Sequence, residues 1–387
     1  MENWRKMTIG DLCITISETY HGNDAEVILI NTSDVLEGTI LNHKKVPNQN
    51  LKGQFKKTFK KDDILYSEIR PANKRYAFVD FENTEHYIAS TKLMVLRPNT
   101  EVILPRFLLA YLSSGPVLSE LQHLAETRSG TFPQITFSSE LAPMPISVPD
   151  FQTQKKIVGV LDSIEEKIKN NIQINKNLFE QAQALYKDRY IDLSPFYGKI
   201  PDGWHIGSVS EIIELHDSKR IPLSSREREK LDKIYPYYGA TSVMDYVDHY
   251  LFDGIYLLLG EDGTVIDDKG FPILQYVEGK FWVNNHAHII TGKCGFTVEL
   301  LYLLFSLTNV KLIVTGAVQP KISQANLNKV SVLIPDAVEL KSFDSLIQPF
   351  FAQIRNLRAE NDRLATLRDT LLPRLMSGEI DVSDIDL

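Results

Sequence analysis

The stretch Asn284-Asn285-His286-Ala287-His288 concentrates side chains that could do chemistry. On a strand, His-x-His turns both imidazoles to one face, which is a start on a zinc site. Only Asp262 or His249 can be named as further ligands, and neither has a set spacing to the pair. The same groups serve equally as hydrogen-bonding side chains that order loops or read base edges. Pro335-Asp336 followed by Glu339 and Lys341 has the residue types of a nuclease metal site. Its acids are too close in sequence, however, and Pro-Asp is a strong helix start. Phosphate-cradling glycine loops are absent. An amine-holding motif, an acid or Asn followed by Pro-Pro and an aromatic, is absent too. Ser194-Pro195-Phe196 comes nearest and lacks the second proline. No catalytic residue and no metal ligand set is therefore assigned.

Charge points elsewhere. The 387 residues carry a net charge of −8, which by itself argues against a nucleic-acid partner. Its placement is uneven: Lys44, Lys45, Lys52, Lys56, Lys57, Lys60 and Lys61 follow one another with no acid between them, and Arg70, Lys74 and Arg75 come soon after. Such a cluster can bind phosphates whatever the total charge, or be a solvated edge strand. With 43% hydrophobic and 24% charged residues the chain is globular, of a length for two or three domains. Cys13 and Cys294 are far apart and match no metal spacing, so a reducing compartment is expected. No apolar segment follows the first residues, and apolar runs such as Leu300 to Phe305 are far short of the ~20 residues of a membrane span. A soluble cytoplasmic protein is the expectation.

An internal repeat organises the chain. Trp4 to Leu12 aligns without gaps on Trp204 to Ile212, and Asp62-Asp63-Ile64-Leu65-Tyr66 on Asp253-Gly254-Ile255-Tyr256-Leu257. Phe107 to Leu112 follows Leu300 to Phe305, and Gly130 to Ile135 follows Gly316 to Ile322 with a one-residue shift. Val148-Pro149-Asp150 matches Ile334-Pro335-Asp336. Each half then ends in a long helix with apolar residues at alternating steps of three and four. Leu161, Ile164, Ile168, Asn175 and Leu178 form one seam, and Ile347, Phe350, Ile354, Asn361 and Leu364 form the other. Asn175 falls on Asn361 at an offset of 186 residues. That spacing is the seam of a coiled coil, with one buried Asn per helix fixing register. The alternative is an amphipathic helix lying on its own domain, which needs a wider stripe.

The motifs are similar to those of specificity subunits of type I restriction–modification systems. Pro236-Tyr237-Tyr238-Gly239-Ala240-Thr241, Tyr250 to Gly254, Gly260-Glu261-Asp262-Gly263, Val283 to His288 and Gln319-Pro320-Lys321-Ile322 resemble that family's target recognition domain. Lys61 to Leu65 and Ser129 to Ile135 fit it in the first half, where the Tyr-Gly-Ala-Thr and His-x-His elements have no counterpart. The resemblance implies a mixed α/β (α+β) fold. It contains two similar recognition domains and an antiparallel coiled coil with pseudo-two-fold symmetry. The expected segments are 1–147 and 204–333 for the recognition domains, 148–193 and 334–378 for the helices, 194–203 for a linker and 379–387 for a tail.

It also implies a non-catalytic DNA reader, each domain binding one half of a bipartite asymmetric target in double-stranded DNA. The helices would space the domains and dock two methyltransferase subunits. No cofactor is expected in this chain. S-adenosylmethionine for adenine N6 methylation, with ATP and Mg for cleavage by restriction (motor-nuclease) subunits, would come on the partners. Candidate DNA contacts are Lys44, Lys45, Lys56, Lys57, Lys60, Lys61, Arg70, Lys74, Arg75, Arg128 and Gln134 in the first half. In the second they are Lys219, Arg220, Tyr238, Asn285, His286, Gln319 and Lys321. A metal nuclease built on His286, His288 and Asp262, and a repeat adaptor that binds only protein, are the competing readings.

Overall fold

A computed structural model describes residues 4–49, 51, 53–127, 133–316 and 318–385. It divides into two compact units, Met1–Asn170 with Glu360–Leu387, and Asn171–Ala359.

Both units open the same way. Thr8 closes a capping box, its N–H and Oγ1 donating to Asp11 Oδ2 at 2.8 and 2.7 Å. Ser208 does the same with Glu211 Oε1, at 2.7 and 3.1 Å. The single helical turns that follow, Ile9–Leu12 and Val209–Ile212, bury their end residues. The first-turn N–H groups of Ile9 and Gly10 donate to the Met144 and Ala142 carbonyls, and those of Val209 and Ser210 to the Val330 and Asn328 carbonyls. Satisfying these groups is why such short sequences hold a turn at all. The strand before each turn pairs antiparallel with the strand before a long helix: Arg5 opposite Val148, and His205 opposite Ile334. The aligned Pro-Asp pairs then cap the helices. Asp150 Oδ1 accepts from the Thr153 N–H at 2.9 Å, and Asp336 Oδ1 from those of Val338 and Glu339, both at 2.9 Å.

The first unit contains two four-stranded sheets. One is antiparallel, in the order Cys13–Ile16, Leu93–Pro98, Ile64–Ser67, Tyr76–Phe78. The other runs Lys45–Pro47, Glu26–Ile30, Tyr87–Ser90, Phe55–Lys57, with only its central pair parallel. Ile30, Val35, Leu65 and Val95 join the two in one core. The second unit has one six-stranded sheet: Ile213–Leu215, Ala287–Gly292, Phe252–Gly260, Leu274–Val283, Tyr235–Tyr238, Val243–Val247. The helices Pro105–Ser113 and Val298–Ser306 occupy matching places in the two cores.

The long helices span Phe151–Tyr186 and Ala337–Met376. At ~1.5 Å per residue they extend roughly 54 and 60 Å. In the first unit Ile157 and Leu161 share a core with Leu372, Leu375 and Met376. In the second, Ala182 and Tyr186 share one with Phe343, Ile347 and Ile354. Early residues of one helix therefore meet late residues of the other in both units, and the helix segments run antiparallel. The seam is wider than a strict coiled coil. Phe350 is half-buried while its neighbour Phe351 is fully buried against the rings of Tyr276 and Tyr302. Ile164, Ile168, Leu178, Asn361 and Leu364 are likewise half-buried. Each helix thus packs both on a partner helix and on a globular core, which is why the compact units divide inside the helices. The Asn175 Oδ1 is buried and has no hydrogen-bond partner among the described residues. Two further segments are more tightly held than their composition implies. Phe196, in the 194–203 segment, packs against Trp204 at 4.9 Å between ring centres. Val382, in the 379–387 segment, is buried in the first unit's core. Among the described residues no helix is long and apolar enough to cross a membrane.

Candidate nucleic-acid interface

In the second unit the sequence motifs converge on one loop cluster. The Glu261 N–H donates to the His286 carbonyl at 2.8 Å, the Ile322 N–H to the Glu261 carbonyl at 2.9 Å, and the Gly263 N–H to the Pro320 carbonyl at 2.9 Å. Beneath them lies an ion network. Arg220 NH1 donates to Glu261 Oε2 at 2.6 Å and to the Ala287 carbonyl at 2.8 Å, and Lys321 Nζ sits 3.1 Å from Glu261 Oε1. His288 is fully buried, held between Asp217 Oδ2 at 2.6 Å and the Ile322 carbonyl at 2.8 Å. Gln324 and the Ile289 N–H complete the ring around Asp217 at 2.6 and 2.9 Å. Burial works to raise both carboxyls. For Asp217 the His288, Ile289 and Gln324 contacts outweigh it, and for Glu261 those of Arg220, His288 and Lys321 do. Both therefore lie below the usual carboxylate range.

Several expectations change here. His286 lies in a turn and pairs with Asp262, while His288 belongs to the strand and points to Asp217, so the two imidazoles do not share a site. Asp217, Glu261 and His288 do bring ligand atoms within 4.8 Å of one another. Arg220 and Lys321 already pair with the two carboxylates there, Arg220 with both and Lys321 with Glu261. Arg220 is consequently a structural cation, Lys321 is half-committed, and His286 is engaged. Tyr238 stands edge-on to Phe281 at 5.8 Å between ring centres. Lys219, Asn285 and Gln319 remain exposed at the rim. Gln319 rides on a tight loop closed by reciprocal bonds between Thr315 and Lys321, at 2.9 and 2.7 Å. Gly316 turns that loop at φ +87°, where a Cβ would strike the Gln319 carbonyl.

The first unit repeats this cluster. The Glu68 N–H donates to the Lys92 carbonyl at 3.0 Å, the Ile135 N–H to the Glu68 carbonyl at 2.8 Å, and the Arg70 N–H to the Pro133 carbonyl at 3.1 Å. Lys92 therefore stands where the second unit has His286, a counterpart that sequence similarity does not reveal. Lys92 Nζ lies 3.6 Å from Glu68 and 3.5 Å from the Gln134 side-chain oxygen. Arg70 is exposed beside them.

The lysine run is not a single patch. Lys45 and Lys56–Lys57 lie on opposite edge strands of one sheet, so three strand spacings, about 14 Å, separate them. Lys57 is half-buried and donates to the Thr91 and Leu93 carbonyls at 3.0 and 2.8 Å, bracing the Lys92 segment. Burial pulls its ammonium below the ordinary lysine value. Lys61 pairs with Glu82 at 2.6 Å and Lys74 with Glu37 at 3.0 Å. Arg75 donates to the Ser33 carbonyl at 3.1 Å. Lys44, Lys45, Lys56 and Lys60 are exposed, with no ion pair among the described residues. Arg128 lies outside the described residues.

Comparison with known families settles what carries this repeated cluster. Residues 1–179 and 201–365 match the type I restriction modification DNA specificity domain, once in each half. The chain belongs to that family. It is a DNA-recognition chain of a type I restriction–modification system. The HindI specificity subunit of Haemophilus influenzae is 27% identical, over 98% of this chain and all of that one. The MjaIX specificity subunit of Methanocaldococcus jannaschii is 26% identical, over 72% of this chain and 69% of its own length. The crystal structure of the S subunit from M. genitalium shares the fold, with a TM-score of 0.51, 16% identity, and coverage of 97% of this chain and 96% of that one.

Two further exposed residues stand at these clusters that sequence reasoning passes over. Lys92 has no local motif, and only the repeated hydrogen bonds reveal it. Val318 is 99% exposed next to Gln319, although an isolated valine in a sequence reads as core. An exposed aliphatic group beside an amide suits contact with a thymine methyl.

Proposed function

We propose that each unit reads one half of a bipartite, asymmetric DNA target with the rim of its loop cluster. In the second unit the readers are Asn285, Val318 and Gln319, and in the first Arg70, Lys92 and Gln134. The observation that carries this reading is the repeated backbone node, on which different side chains are mounted, exposed except for the half-buried Gln134. A common frame with different readers is what two unlike half-sites require. Amide side chains match adenine and cationic ones guanine in the major groove. Lys44, Lys45, Lys56, Lys60 and Lys219 add phosphate attraction that carries no sequence information.

In this reading the chain performs no covalent step. Its long helices space the units and dock two methyltransferase subunits, which bring S-adenosylmethionine. Restriction subunits add ATP- and Mg-dependent cleavage. The test is to map N6-methyladenine in DNA exposed to this chain with its methyltransferase. A bipartite motif is expected, and exchanging residues 204–333 for those of a relative should change one half of it only. A change in both halves, or in neither, overturns the assignment.

A further inference from the structure

The first unit contains a cavity of about 420 Å³ with no counterpart packing inside it, lined by Tyr76, Phe78, Phe81, Leu109, Glu165 and Ile168 among others. The second unit shows what the same place holds when filled. Tyr66 pairs with Tyr76 as Leu257 pairs with Tyr276, so Tyr76 and Tyr276 are equivalent. The aligned helices set Leu109 on Tyr302 and Glu165 on Phe351. In the second unit the rings of Tyr276, Tyr302 and Phe351 pack together, 5.7, 5.5 and 6.3 Å apart. Arg355 donates to the Tyr276 hydroxyl at 2.7 Å and to Glu299 at 3.0 Å, so polar groups there are satisfied. In the first unit two of the three rings are missing, and the cavity opens where they would stand.

Its polar lining is unbalanced. Arg106 pairs with Asp162 at 3.0 Å, Lys74 with Glu37 at 3.0 Å, and Arg368 with Asp369 at 2.8 Å. Glu165 and Asp80 have no hydrogen bond or ion pair among the described residues, against one such cation, Lys169. Burial raises the Glu165 carboxyl above its ordinary value, with Arg368, Lys169 and Arg106 opposing from a distance and Asp162 reinforcing. A half-buried carboxylate left without a donor is costly, and a ligand carrying one relieves that cost. Aromatic walls, together with a carboxylate that no hydrogen bond or ion pair holds among the described residues, suit a ring with a positive charge on a short arm.

We propose that this cavity binds a compact aromatic cation, its ring replacing those of Tyr302 and Phe351 and its charge meeting Glu165. The group could arrive as a free small molecule or on a partner's side chain. Titrating the full chain with tyramine, followed by calorimetry, tests the site. Saturable binding at one site per chain is expected. Leu109→Tyr and Glu165→Phe, which restore the rings of the second unit, should each abolish it without lowering the melting temperature. Glu165→Gln, which keeps the shape, should weaken tyramine roughly tenfold while leaving 4-ethylphenol binding unchanged. No binding to the unaltered chain overturns the proposal, as does binding that survives both ring-restoring variants or is indifferent to Glu165→Gln. Repeating the titration on the assembly with the methyltransferase separates the sources: a blocked site means that a partner side chain fills it, and an open one means a free ligand. Only that second arm rests on the proposed assembly, so its failure is distinguishable from failure of the site.

Discussion

Glu68 and Glu261 occupy the same node of the two units, each accepting an isoleucine N–H at its carbonyl, from Ile135 at 2.8 Å and Ile322 at 2.9 Å. Their side chains differ in grip. Glu68 faces Lys92 at 3.6 Å, whereas Glu261 is held by Arg220 at 2.6 Å and Lys321 at 3.1 Å. The second node is thus the stiffer frame.

The stiffness of that node is measurable through pH. Glu261 and Asp217 titrate below the usual range when folded. Their stabilisation is complete above the unfolded carboxyl value of ~4 and is lost as pH falls through the lower folded values. Glu261→Gln should cost about 2 kcal/mol at pH 7, less than the ~3–5 of a fully buried pair. The difference should shrink on acidification. Thermal melts of both forms from pH 7 down to about pH 2 check this, and a gap that stays constant over the whole range contradicts the ion network.

Readout separates the rim from the frame. Asn285→Ala and Gln319→Ala should each relax one position of a single half-site, by ~1–3 kcal/mol for a bidentate contact. Lys321→Ala should instead weaken recognition more broadly, because it loosens Glu261. Gly316→Ala should resemble Gln319→Ala, since it breaks the loop that carries Gln319. Methylation-site mapping of the four variants distinguishes these patterns.

The lysines divide into two classes. Replacing Lys44, Lys45, Lys56 and Lys60 with Ala should lower the log–log salt slope of DNA binding by up to ~0.9 for each phosphate no longer neutralised, leaving the recognised sequence intact. Lys57→Ala should lower the melting temperature, because its ammonium bonds two backbone carbonyls. Salt titrations and melts on the same proteins would reveal any lysine that belongs to the other class.

Local patterns were legible in the sequence where one cause acts alone. The aligned segments that begin at Trp4 and Trp204, the Pro-Asp helix starts and the alternating helical steps all showed through. Long-range pairing did not. Nothing local says that Lys45 and Lys56 belong to opposite edges of one sheet, because Glu26–Ile30 and Tyr87–Ser90 come between them from distant parts of the chain. Charge type was incomplete for the same reason: Arg220 and Lys57 read as DNA contacts, and nothing local shows that they also hold Glu261 and the Thr91 carbonyl, 41 and 34 residues away. Phe351 escaped the seam because the register of a strict heptad ignores the globular core on the helix's other side.

The helices give the last prediction. In each unit their segments run antiparallel, so the distance between half-sites depends on helix length in the proposed assembly. A heptad inserted after Asn170 alone shifts every later seam residue against its partner and should destabilise the pair. Matched heptads after Asn170 and after Ala359 keep the apolar steps in phase and add about 10 Å, at ~1.5 Å per residue. DNA rises ~3.4 Å per base pair, so the non-specific gap should lengthen by roughly three base pairs. Those three base pairs also rotate one half-site by about 100°, at 10–10.5 base pairs per turn. The matched insertion should therefore lower the methylation rate even where the longer gap is accepted. Sequencing the methylated sites of the matched variant decides between the models. If a folded, active complex keeps the original gap, each helix serves its own unit and the spacer role is wrong.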